Sequence, residues 1–159
     1  MSRRVQNTHI KKQVRALHEA LIDIVSVLNR KQGDEMMIRE AGISLDRALF
    51  PLLVGIERRG PIGVVDLADR MGRDYTTVSR QVARLESLGL VKRQASEADR
   101  RVSEATITPS GKAMTDAVDR ARERIAGGMF ASWDDQDIDD LVRLMRKFAD
   151  AMIAPGEPT

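Results

Sequence analysis

Three features of the sequence predict a mainly α fold carrying one small β-hairpin, an α+β class. Apolar residues recur at three- and four-residue steps through most of the 159 positions, the spacing of one helix face. Two β-prone runs, "LVKRQ" and "VSEATIT", follow Gly89 and are split by the polar "ASEADRR", which suits an exposed and mobile hairpin tip. Glycine or proline stands at most junctions between the periodic segments, where each interrupts a helix. Hydrophobic residues make up 42% of the chain but aromatics only 3%, so Leu, Ile, Val, Ala and Met must fill the core. One domain over 1–159 is expected at this length.

Residues 9–29 form the first predicted helix. Ile10, Val14, Leu17, Leu21, Val25 and Leu28 share one face, Ile22 widens it, and Asn29 and Gly33 mark its end. A shorter helical piece, "DEMMIREAG", stops at Gly42. Ser44 can then cap a helix over 45–59 carried by Leu45, Leu49, Leu52 and Leu53. Pro51 is awkward inside it, because it lacks an N–H and crowds residue 47. Either the helix kinks there or it truly starts near Pro51, at proline's preferred early position.

Gly60-Pro61 separates this from "IGVVDLADRMG", a short helix with Val65 and Leu67 available to pack and Gly72 as terminator. The next helix begins near Thr76, buries Val78, Val82, Leu85 and Leu88, and ends with Gly89 as its C-cap. After the hairpin, Thr108 and Pro109 open a helix that runs through Ala113, Met114, Ala117, Ala121 and Ile125 to Gly127-Gly128. Ser132 can cap the last helix, with Asp134 and Asp135 in its first turn and Ile138, Leu141, Val142, Leu144, Met145, Phe148 and Met152 on its apolar side. Residues 154–159 read as a flexible tail. The outer helices are too apolar to stand alone, which predicts a partner helix from a second copy of the chain.

Formal net charge is only +2, so the total does not select a polyanionic partner. Its distribution is more informative. Residues 1–15 carry Arg3, Arg4, Lys11, Lys12 and Arg15 with no acid, Arg58–Arg101 holds ten basic against six acidic residues, and Trp133 onward holds three against seven. Positive charge therefore lies in the start and middle of the chain. The absence of cysteine excludes disulfides, thiol-based redox sensing and thiolate metal sites. No signal-like apolar run and no stretch of 18 apolar residues is present, so a soluble cytoplasmic protein without membrane association is the expectation.

The central helix places Thr77, Arg80, Gln81 and Arg84 on the face opposite its apolar stripe. Taken alone, such a face is that of any solvated helix. Its chemistry also suits DNA: arginine reaches guanine edges or phosphate, glutamine pairs with adenine, and threonine bonds phosphate or touches a thymine methyl. Free N–H groups near Asp74–Thr77 can receive a phosphate. A short helix closed by Gly72, a tight connection and this second helix follow the helix-turn-helix order, and a hairpin with a basic tip supplies the wing. Arg100 and Arg101 at the tip suit a narrow minor groove. Asp99 between them and the strand makes sense as a brace that accepts loop N–H groups or an arginine. Lys92 and Arg93 at the hairpin base, and Arg73 before the helix, are candidate phosphate contacts.

From Gly60 to Met114 the chain resembles the winged helix-turn-helix of the MarR family of bacterial transcription regulators. The pieces that carry the resemblance are "DLADRMG", "TTVSRQVARLESLGLVKR", "EADRR" and "ITPSG", in the right order and spacing. The resemblance implies a homodimer, with a dimerisation helix and connector over 9–44, a DNA-binding lobe over 45–108 and C-terminal dimerisation helices over 109–153. It implies double-stranded DNA as partner, read at a pseudo-palindromic operator by Thr76, Thr77, Arg80, Gln81 and Arg84 and by wing residues Arg101 and Arg100, with Asp99 bracing the loop. It also implies repression relieved by a small hydrophobic or aromatic effector bound near the helices over 9–29 and 45–59. No cofactor is implied. The family's metal-responsive members cluster histidine and carboxylate ligands, whereas His9 and His18 lie on different faces of one helix and read as surface or interface residues.

Two other readings compete. An effector-insensitive DNA-binding regulator would share this fold. A winged-helix protein–protein adaptor would expose apolar residues where this chain has Thr77, Arg80, Gln81 and Arg84. An enzyme is the weakest reading: there is no cysteine, no glycine-rich phosphate loop and no HExxH-like pattern. Asp134-Asp135 is better explained as helix-start charge than as a catalytic pair.

Overall fold

The computed structural model describes residues 3–154, with side chains from Thr8 onward. Of the expected tail, residues 155–159 lie outside the described residues, as do the first two of the N-terminal segment. Helix α1 spans Arg3–Leu28, starting earlier than its apolar stripe does. Helix α2 covers Lys31–Ala41 and takes in Gly33, so that glycine does not end α1. Gly42 closes α2 in the left-handed conformation (φ 66°), and its N–H donates to the Arg39 carbonyl.

Helix α3 spans Phe50–Arg59, which resolves the Pro51 conflict in favour of a late start. Ser44 does not cap it. The chain first makes a turn in which Asp46 Oδ1 accepts the Ala48 N–H at 2.8 Å and the Asp46 carbonyl accepts that of Leu49 at 3.0 Å. The helix then opens with Pro51 in its first turn, where a missing N–H forfeits no helical bond.

Strand β1 (Ile62–Gly63), helix α4 (Val64–Arg70), helix α5 (Tyr75–Ser87), strand β2 (Val91–Ala95) and strand β3 (Ser103–Ile107) follow. The sheet is antiparallel in the order β1-β3-β2, with Ile62 opposite Ala105 and Val91 opposite Ile107. The two-residue β1 is too short for any alternation and has no sequence signal of its own. In α4 the buried residues are Val64, Leu67 and Ala68, whereas Val65, expected to pack, is 60% exposed. The stripe begins one residue earlier than anticipated, which rotates Val65 outward.

In α5, Val78, Val82 and Leu85 are fully buried, but Leu88 is 44% exposed. The helix has ended by then: Leu88 is its C-cap, Gly89 turns the chain at φ 74°, and Leu90 enters the core instead. Leu52, Leu53 and Ile56 of α3, Leu67 of α4 and the α5 stripe meet Ile62, Leu90, Val91 and Ala105 in one cluster. Burying each such side chain contributes about 1.5–3 kcal/mol relative to leaving it in water. This cluster is what holds the face of α5 outward.

The chain divides into two compact units, 1–121 and 122–159. Helix α6 (Pro109–Met129) begins in the first, where Thr115, Val118 and Ala121 are buried. Thr108 opens it as anticipated: its hydroxyl donates to the Gly89 carbonyl at 2.6 Å and accepts the Gly111 N–H at 3.1 Å. Gly111 is required there, because a Cβ would strike the Leu90 carbonyl. Lys112 Nζ joins Glu57 Oε1 (3.1 Å) and Asp116 Oδ1 (2.7 Å), tying α6 to α3.

In the second unit α6 continues through Gly127-Gly128 without stopping, and helix α7 spans Asp135–Ile153. Asp134, not Ser132, caps α7, accepting the Asp137 N–H at 2.8 Å. Phe130 and Trp133 pack edge to face before it, with ring centroids 5.0 Å apart. Most of the apolar stripe of α1 is exposed within the single chain, including Ile10, Val14, Leu17, Val25 and Leu28, and so are Val142, Leu144, Met145 and Met152 of α7. No helix among the described residues is long and apolar enough to cross a membrane.

Candidate nucleic-acid interface

Asp74 controls the start of α5. Its carboxylate accepts the N–H of Thr77 at 2.9 Å and of Thr76 at 3.3 Å, and the Thr77 hydroxyl donates to it at 2.7 Å. The Thr77 hydroxyl bond is the largest cause holding the Asp74 carboxyl below its ordinary pKa, followed by the Thr77 N–H, with smaller help from Thr76 and Arg80. These amides were candidates for a phosphate. They are instead taken by the protein's own carboxylate, so the N-terminus of α5 is not an open anion site.

Past the cap, Thr76, Thr77, Arg80 and Arg84 are exposed along α5. Gln81 is half-buried, and its Oε1 accepts a hydrogen bond from Arg73 Nη1 at 3.2 Å. The same Arg73 nitrogen donates to the Ala48 carbonyl at 3.3 Å. Beside them lies an open cleft of about 520 Å³ lined by Leu45, Leu49, Arg80, Gln81, Arg84 and Leu88, among others.

The hairpin tip between β2 and β3, expected as a polar loop, is a hydrogen-bonded turn. The Ser96 N–H donates to the Val102 carbonyl and the Val102 N–H to that of Asp99, each at 2.9 Å. Ser96 is buried, and its Oγ accepts the N–H groups of Ala98 (3.2 Å) and Asp99 (3.4 Å). Asp99 Oδ1 accepts the Arg101 N–H at 3.1 Å. The side chains of Arg100 and Arg101 stand exposed on this frame.

Arg93 and Arg73 serve the protein itself. The Arg93 N–H donates to Glu86 Oε2 at 2.9 Å, its Nε lies 3.8 Å from Glu86 Oε1, and its Nη2 donates to the Ser79 carbonyl at 3.5 Å. Arg93 therefore joins β2 to α5, as Arg73 joins α5 to the turn before α3. Lys92 remains exposed on the hairpin. Sequence reasoning missed three structural residues: Ser96, Glu86 and the Arg73 clamp. Ser96 could have been found as a hydroxyl two and three residues before amides in a polar turn, but the other two pairings join neighbouring elements across a turn and match no helical or strand spacing. Among the described residues, no three His, Asp or Glu side chains cluster as a metal site would require.

A buttressed polar helix beside a basic, hydrogen-bonded hairpin is the architecture of a winged helix-turn-helix DNA-binding regulator. The MarR family profile matches residues 45–103. Over 110 residues, 69% of this chain and 77% of the relative, the sequence is 33% identical to the uncharacterized HTH-type transcriptional regulator YxaD of Bacillus subtilis (strain 168). A MarR family protein from Bacillus stearothermophilus superposes with a TM-score of 0.74 at 24% identity, covering 90% of this chain and 97% of that one. BpsR of Bordetella bronchiseptica, whose DNA binding is regulated by 6-hydroxynicotinic acid, superposes with a TM-score of 0.53 at 26% identity over 76% and 87% of the two chains. The chain belongs to the MarR family of DNA-binding transcription regulators, which are not enzymes.

Proposed function

We propose that the protein is a homodimeric repressor that reads a pseudo-palindromic operator in double-stranded DNA and is released from it by a small hydrophobic or aromatic effector. The observation that carries the DNA reading is the exposed row of Thr76, Thr77, Arg80 and Arg84 on α5, held out by a buried stripe and flanked by the braced tip with Arg100 and Arg101. In this reading α5 enters the major groove, where Arg80 and its neighbours meet base edges. Arg101, with Arg100 beside it, enters the adjoining minor groove, and Asp99 sets the direction of the tip. Lys92 neutralises phosphate. Arg73, through Nη1, and Arg93, through Nη2, bond inside the protein and act mainly by holding α5.

The exposed apolar stripe of α1 supports the homodimer, because a second copy would remove Ile10, Val14, Leu17, Val25 and Leu28 from water. The cleft between the turn before α3 and α5, which includes no residue of 9–29, supports the effector: at about 520 Å³ it has the capacity of a small-molecule site, and DNA binding by the structural relative BpsR is regulated by 6-hydroxynicotinic acid. Selection of bound fragments from host genomic DNA by the purified protein tests the first part. Recovery of a shared inverted repeat is expected; fragments without any common sequence would refute it. Repeating the selection with a panel of hydrophobic weak acids tests release, and binding unchanged by every compound would leave the effector-insensitive regulator as the correct reading.

A further inference from the structure

We propose that Arg73 sets the base preference of Gln81 by fixing which end of its amide meets DNA. The inference rests on the reading of α5 as the recognition helix. A guanidinium has five donors and no acceptor, so the Gln81 atom facing Arg73 Nη1 at 3.2 Å must be the carbonyl oxygen. The orientation of this amide is therefore dictated by chemistry rather than free to flip. Arg73 is itself anchored, through the Ala48 carbonyl, to the turn before α3.

A free glutamine can offer either its oxygen or its NH2 group, and so accepts from some bases and donates to others. With the oxygen turned to Arg73, the NH2 group faces away from it. Gln81 then reads as a donor. It favours base edges that present acceptors, guanine O6 and N7, thymine O4 or adenine N7, and disfavours cytosine, whose major-groove edge presents only the N4 donor. This sharpens the general expectation that a recognition-helix glutamine seeks adenine. Arg73 is a positioning residue in this scheme and touches no base.

The test uses the full-length protein and duplexes selected from a randomised pool, followed by affinities for single base-pair changes at one salt concentration. Wild type should disfavour cytosine at one position in each half-site by roughly tenfold. Gln81→Ala and Arg73→Met should each level the four bases at that position alone, and the double variant should do no more than either. Gln81→Glu keeps the partner of Arg73 but replaces the outward donor with an acceptor, so the same position should switch toward cytosine; this variant is informative even if Arg73→Met fails to fold.

An equal loss of affinity for every sequence in Arg73→Met would mark a phosphate contact and overturn the proposal. So would an unchanged preference in Gln81→Glu, or in Gln81→Ala. A wild-type protein without base preference at any position would instead remove the recognition-helix reading on which the proposal stands.

Discussion

At the scale of single residues, the interface divides into side chains that face outward and side chains that hold them. Arg80 belongs to the first group: it is exposed in the middle of α5. Arg80→Ala should remove about 1–3 kcal/mol of discrimination between operator and scrambled duplex, measured by competition binding, while leaving the oligomeric state unchanged. Equal discrimination in mutant and wild type would show that Arg80 reads no base. Asp74 belongs to the second group. Its carboxyl is held below the ordinary value in the folded chain, so the folded state favours the ionised form. Its stabilisation is complete above the unfolded-state pKa and disappears as pH falls through the folded one. The difference in melting temperature between wild type and Asp74→Ala should thus be constant near neutrality and shrink in acid below about pH 4. A difference that grew on acidification would contradict the capping role.

Individual elements show where sequence patterning was sufficient and where it was not. The α5 stripe was legible because Val78, Val82 and Leu85 repeat at helical spacing, and all three are fully buried. What periodicity did not reveal is the exchange at its C-terminal end, where Leu88, the C-cap, is exposed and Leu90, beyond Gly89, is buried in its place. Proline and aspartate compete with serine for helix starts at α3 and α7, where the late start at Pro51 and the carboxylate cap of Asp134 stand in place of Ser44 and Ser132. Thr76, Thr77, Arg80 and Arg84 lie exposed as the helix period predicts, whereas Gln81, expected on the same face, is half-buried against Arg73. The residues that support them could not be listed from the sequence, since Glu86–Arg93 and Arg73–Gln81 join segments that only the tertiary fold brings together.

The wing offers a test at this same scale. Ser96→Ala would leave the Ala98 and Asp99 N–H groups without their acceptor, a loss of about 1–3 kcal/mol if water cannot replace it. Operator affinity should fall with stability, whereas Arg101→Ala should lower affinity with stability unchanged. Chemical denaturation alongside binding titrations separates the two outcomes. A wing variant at Arg101 that bound as wild type over several salt concentrations would dismiss the minor-groove contact.

At the scale of the whole molecule, the DNA-binding lobe has its own core while much of α1 and α7 lies exposed in one chain. Leu17→Asp, placed on the apolar face of α1, should convert a dimer to a monomer in analytical ultracentrifugation. The lobe should remain folded, because Leu17 lies outside the core cluster. Operator affinity should drop steeply as the two half-sites lose their shared link. A monomeric wild type would reject this arrangement outright. The wild-type complex should also weaken linearly in log affinity against log salt, the mark of displaced counterions.

The closed hairpin tip has a kinetic consequence. Ser96, Asp99 and Val102 are already bonded to one another in the free chain, a frame that would spare the wing an ordering step on meeting the proposed duplex. The rate of encounter should then be set by diffusion and by the attraction of the proposed wing contacts Arg100, Arg101 and Lys92 for the phosphates. Differences among variant operators should consequently appear in how long the complex lasts rather than in how fast it forms.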